Sequence, residues 1–188
     1  MQNKIDPSRR SFVIAATGVT TALAAGGVAG CQGKAKEDRQ LRFASLAAAQ
    51  DELARLVLAG ELASSAAWNW AQTLAHCAQS IEFSISGFPQ SKSALFQRTV
   101  GSAALGVFSW RGRMTHDLAE PIPGAPALDA ASDPAQALQR LHNAIAAFRA
   151  WSGPLRPHFA YGTLGRQDYE LAHAMHLANH LSAFRAKA

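Results

Sequence analysis

Cysteine is scarce in this chain, with two residues, Cys31 and Cys77, among 188. Two thiols exclude a disulfide scaffold and a four-cysteine zinc site. Charge is scarce too, at 16% of residues against 48% hydrophobic. That balance excludes a disordered or collagen-like chain and predicts one domain with a sizeable core. Bases exceed acids by only 5, and no Lys/Arg run is present, so the electrostatic footprint of nucleic-acid binding is missing. Alternating apolar and polar stretches are missing as well, which argues for helices. No internal repeat or low-complexity tract stands out.

The first thirty residues differ from the rest. Phe12 to Ala29 is an uncharged run rich in Ala, Gly and Thr and poor in Leu. It is a weak membrane span, since a stable one wants roughly 20 strongly apolar residues. Arg9 and Arg10 precede it, and a positive head before such a run marks an export signal. Ser8, Arg9, Arg10 and Phe12 resemble the Ser-Arg-Arg-x-Phe pattern of twin-arginine signals. The run closes on Val28-Ala29-Gly30-Cys31, which resembles a bacterial lipobox. That resemblance implies cleavage before Cys31 and acylation of its thiol, and two acyl chains give stable anchoring. Gln32 in place of Asp implies no inner-membrane retention, which favours the outer membrane. The expected organisation is a signal over 1–30, a lipidated tether over 31–40 and a helical domain over 41–188. The expected place is the periplasmic side of a bacterial membrane, with that membrane the partner of the N-terminal lipid. Removal of residues 1–30 leaves 15 basic and 12 acidic residues, so the basic character of the mature chain is slight.

Helical spacing of apolar residues predicts five helices. The first covers about 41–63, with Leu46, Ala49, Leu53 and Leu56 on one stripe. The second covers about 66–86, capped by Ser64 or Ser65, with Trp70, Leu74, Cys77, Ile81 and Ile85 on its stripe. The third covers about 93–111 and carries Gly101 and Gly106, which permit close helix packing. Pro121 to Pro126 is a rigid connection. The fourth starts at Asp133-Pro134, a cap followed by a proline suited to the first turn, and ends at Ser152-Gly153-Pro154. The last covers about 166–185, with Asp168 and Glu170 in its first turn. The predicted fold class is all-α, an antiparallel four-helix bundle with long connections.

Seven histidines carry the chemistry. His176 and His180, four residues apart, can aim two imidazoles at one ion from adjacent turns. His173 lies near the same arc. His76 sits on the second helix beside a polar row of Asn69, Thr73 and Ser80, about 100° or more from the apolar stripe, where periodicity leaves solvent or site open. One His on the second helix and two His four apart on the last resemble the DinB-like metal-binding four-helix superfamily, in a branch labelled as a domain of unknown function. The likeness runs over about 41–185, through Trp70-Ala71-Gln72-Thr73-Leu74-Ala75-His76-Cys77-Ala78-Gln79-Ser80, Pro121 to Pro126, His158-Phe159-Ala160-Tyr161-Gly162 and His173-Ala174-Met175-His176-Leu177-Ala178-Asn179-His180-Leu181.

That resemblance implies a divalent ion, zinc or nickel first and iron or manganese as further options, on His76, His176 and His180. It also implies open positions for a small molecule at the metal. Relatives of that kind include transferases and isomerases in which the metal activates a cytoplasmic low-molecular-weight thiol. An exported chain does not share that thiol pool. Close relatives often carry a histidine where this chain has Asn179. Accessory residues are His173, as a hydrogen-bonding partner or spare ligand; His158, at the cavity mouth or capping a loop; and Tyr169, donating to substrate or only packing. Cys77 reads as a buried structural thiol. His116 and His142 read as surface residues, and Trp68, Trp70, Trp110 and Trp151 as core or helix-end packing. A homodimer is left open. The expected function is a metal-dependent transferase or hydrolase, or alternatively an envelope lipoprotein that binds metal or ligand without turnover.

Overall fold

The computed structural model describes residues 38–187. Arg9, Arg10, Cys31, the 1–30 signal and the first seven residues of the tether lie outside the described residues. The described residues are mostly helical, with a small two-stranded sheet. The elements are α1 (Leu46–Leu58), β1 (Leu62–Ser64), α2 (Trp70–Ser86), α3 (Ala94–Phe96), a π turn (Gln97–Gly101), α4 (Ser102–Arg111), α5 (Pro134–Ala150), α6 (Arg166–Leu181) and β2 (Phe184–Ala186). No described helix is long and apolar enough to cross a membrane.

α1, α2, α3 and α5 each start where a side chain takes an orphan backbone N–H. Ser45 accepts from Ala48 at the head of α1, and Asn69 with Gln72 forms a capping box at the head of α2. The predicted caps Ser64 and Ser65 lie five and four residues before Asn69, in and just after β1, so α2 starts later than expected. Asp133 accepts from Ala135 at 2.8 Å and Pro134 opens α5, as its sequence predicts.

The core is the meeting of the helical stripes. α2 packs chiefly on α5, and α6 lies against α1 and α2. Leu46, Leu53, Leu74, Ile81, Leu141, Ile145, Phe148, Leu177 and Leu181 are buried there. Each such side chain contributes about 1.5–3 kcal/mol by leaving water. Cys77 is buried among them as a free thiol, and burial pushes its pKa up.

The expected all-α class needs a correction at the two ends of the domain. β1 pairs antiparallel with β2, Ala63 opposite Arg185. The last helix therefore stops at Leu181 instead of running to 185. Arg39 N–H donates to the Ser182 carbonyl at 3.1 Å, and Leu41 N–H donates to Ser182 Oγ at 2.9 Å. The Arg39 guanidinium also donates to the Phe184 carbonyl at 2.6 Å and pairs with buried Glu52 at 2.6 Å. Residues 38–40 are thus part of the folded domain and not of a free tether.

The third helix also departs from expectation. It holds a π turn, and α4 buries none of its residues. Leu95, Val100, Val107 and Trp110 are exposed, so Trp110 is not a packing residue. Gly101 is required, because a Cβ there would stand 1.9 Å from the Ala160 carbonyl oxygen. It admits a loop and not a neighbouring helix. Gly106 has nothing within 4 Å of a built Cβ, so packing does not explain it.

Candidate metal centre

Four segments build the site. α2 brings His76, α6 brings His173, His176 and His180, the connection from α4 to α5 brings His116, and the loop before α6 brings His158. Past exposed Asn69, the polar row of α2 faces neither solvent nor the apolar core. Asn69 donates to the Ala130 carbonyl at 2.9 Å, Gln72 to Leu128 at 3.3 Å and Gln79 to Pro126 at 3.0 Å. These bonds stitch the 112–133 connection along α2 and bury Thr73, His76, Gln79 and Ser80. His76 therefore points into the protein.

His76, His176 and His180 come together. Nε2 of His176 stands 3.1 Å from Nε2 of His76 and 3.1 Å from Nε2 of His180. One ligand atom from each of the three lies within 4.8 Å of the other two. His76 and His180 are buried, and His176 keeps some surface where it faces a cavity. Burial and the neighbouring imidazoles hold all three pKa values down: His76 falls from 6.5 to about 4, and His176 and His180 fall well below 6.5. They are neutral at pH 7.

This donor set fits a cation. A neutral imidazole nitrogen either donates or accepts one hydrogen bond. The single lone pair of His176 Nε2 cannot serve two neighbours well, so hydrogen bonding alone leaves a buried nitrogen unmet. Two bonds of about 2.0–2.1 Å to one ion set their nitrogens about 3.0–3.4 Å apart at ordinary coordination angles. The observed 3.1 Å falls within that range. His76 Nδ1 and Thr73 Oγ1, three residues apart on α2, are both buried without partners.

Beside the cluster lies a cavity of about 300 Å³. His76 and His176 line one part of it, and His158, His173 and Tyr161 another. Phe96, Met114 and Ile122 give apolar wall, and exposed Lys92 and Glu120 contribute the charges. The accessory residues sort clearly. His158 Nδ1 accepts from the backbone N–H of Ala160 at 3.1 Å and of Tyr161 at 3.2 Å, which leaves its proton on Nε2. Its ring stacks on Tyr161 at 4.2 Å, and burial pulls its pKa to about 3. His173 lies outside the nitrogen cluster. Its Nε2 is buried without a partner, and burial, with His158 nearby, lowers its pKa to about 3. Tyr169 is fully buried, and its hydroxyl donates to the Arg156 carbonyl at 2.6 Å. Its ring stacks against that of His173 at 5.3 Å.

Three site residues escaped the sequence reading. Trp68 packs on the site itself; its ring stands 4.9 Å from that of His76 and lies parallel to that of His180 at 6.3 Å. His116 is half-buried and not on the surface, with its ring 5.1 Å from His176 and 5.0 Å from His180. Glu120 places a carboxylate on the cavity wall. All three sit in irregular segments, where periodicity carries no direction.

Comparison with known proteins adds one finding. Neither the curated proteins nor the solved structures contain a match. A family model described as a protein of unknown function, DUF1569, matches residues 35–187. With four-fifths of its length covered by that match, the chain belongs to the DUF1569 family.

Proposed function

We propose that this chain holds one divalent metal ion on His76, His176 and His180, in a DinB-like four-helix bundle, and uses it on a small molecule in the adjoining cavity. The observation that carries this reading is the cluster of three neutral imidazole nitrogens, two contacts of which are 3.1 Å. When bound, the ion supplies Lewis acidity toward an electron-rich group of that molecule. Imidazole ligands suit zinc and nickel, with iron and manganese as further options.

The chain's own residues do the rest. Trp68 covers one side of the triad and limits water there. His158, its tautomer fixed by two backbone donors, offers an Nε2–H to an acceptor. The orphaned His173 Nε2 offers a second polar contact, and Phe96, Met114 and Ile122 hold an apolar body. A cavity of about 300 Å³ takes a compact ligand. Transferase or hydrolase chemistry fits such a site. Non-catalytic binding is favoured by two observations: Glu120, the carboxylate on the cavity wall, is exposed, and buried His158 is too weak a base to move protons near neutral pH.

We further propose export through Arg9-Arg10, lipidation at Cys31 and anchoring on the periplasmic side of the outer membrane. The order of the two sequence patterns supports this, and so does the start of the family match at residue 35, just past Cys31.

Elemental analysis of the purified chain tests the metal site. The expected result is about one ion per chain, lost in His76→Ala, His176→Ala and His180→Ala and retained in His142→Ala. Retention of the full equivalent in all four variants would show that the ion sits elsewhere.

A further inference from the structure

We infer that His116 is a fourth ligand, which closes the position that the three histidines leave open on the ion. The inference rests on the three-histidine reading and adds a residue to it. Ring positions carry the argument. His116 stands 5.1 Å from His176 and 5.0 Å from His180, centroid to centroid. The triad rings stand 5.0, 4.7 and 4.7 Å from one another. His116 is therefore about as near to two of the ligands as the ligands are to each other.

Its chemistry is set for ligation. Nδ1 lies 2.8 Å from the Asp117 carbonyl oxygen. A carbonyl only accepts, so Nδ1 carries the proton and Nε2 keeps a free lone pair. A hydrogen bond from the second ring nitrogen to a carbonyl is the outer-shell arrangement that metal-bound histidines use to fix tautomer and ring orientation. The backbone is pinned as well. Asn179, the neighbour of His180, donates to the His116 carbonyl at 3.4 Å, and Arg113 pairs with Asp38. The compact nitrogen cluster comprises the other three histidines, so ligation takes a small shift of the His116 ring toward them that keeps its Nδ1 bond to the Asp117 carbonyl.

The ring also stands at a boundary. It lines the cavity beside the triad and a second one of about 410 Å³, which is lined by Arg113, Asp117 and Asn179 among others. A fourth imidazole there makes a closed site, the coordination of structural rather than catalytic metals. A small molecule reaches the ion only by displacing His116 toward the second cavity.

Cobalt(II) in the full-length chain tests this, because its visible spectrum reports its ligands. The expected wild-type spectrum is constant from pH 6.5 to about 9 and unmoved by millimolar azide, since no exchangeable water is bound. In His116→Ala, water enters. The spectrum then becomes sensitive to pH and azide, cobalt affinity falls at least about tenfold, and added free imidazole restores the wild-type spectrum. His116→Gln shows the same sensitivity and serves if the alanine variant misfolds. Identical spectra and azide responses in wild type and variants overturn the fourth ligand and leave the triad standing. Failure of the wild type to take up cobalt overturns both.

Discussion

Acid should unfold the metal-free protein well above the pH at which isolated carboxylates titrate, because histidines are buried neutral. In the unfolded chain each protonates near 6.5. In the fold, His76 resists protonation to about 4, and His158 and His173 to about 3, chiefly through burial, with His116 adding to the shift of His76 and His158 to that of His173. The unfolded state therefore binds protons first as pH falls. The stability these groups allow is complete above pH 6.5 and is lost on acidification toward 4 and 3. One pKa unit is worth about 1.4 kcal/mol. At pH 4.5 each of the three costs about 2–3 kcal/mol, roughly 8 together, comparable to the whole stability of an ordinary domain. His176 and His180 act in the same direction. Urea unfolding of chelator-treated protein, followed by circular dichroism at several pH values, measures this. The slope between pH 6 and 4.5 should reach at least about 4 kcal/mol per unit, near 1.4 for each histidine. His173→Leu should lower it by about one histidine's share. A stability that stays flat down to pH 4.5 would refute the assignment of these imidazoles as buried and neutral.

Packing makes further predictions. Phe148→Ala should cost about 3–5 kcal/mol, as a fully buried aromatic, while Trp110→Ser on the exposed face of α4 should stay within about 0.5. Thermal and urea melts of both variants check the contrast, and equal losses would mean that α4 is covered. Gly101→Ala should destabilise the domain and loosen the loop carrying His158, since a Cβ meets the Ala160 carbonyl. Hydrogen exchange at residues 158–162 reads this, and unchanged protection there would count against it. Cys31→Ser should release the protein from membranes or block its processing. Attachment and processing unaltered by that substitution would point to an anchor other than lipid on Cys31.

Local features were legible in the sequence, and long-range ones were not. The start of α5 follows from Asp133 and Pro134, which act within one turn. The approach of His176 to His180 follows from helical pitch alone. The direction of His76 does not follow from α2, because the residues that bury it belong to the 112–133 connection, some fifty residues away. The end of α6 is decided by residues 39 and 41 and by β1, more than a hundred residues earlier, so its own pattern overran. His116 had no period to read. Its place comes from the path of that connection and from Asn179.

X-ray absorption at the edge of whichever metal co-purifies tests the central claim most directly. The account predicts about one ion per chain, a first shell of nitrogen or oxygen at about 2.0–2.1 Å, and the outer-shell scattering of at least three imidazoles. A sulfur at about 2.3 Å, which among the described residues would implicate Cys77, or the absence of a stoichiometric ion after metal supplementation, would contradict it.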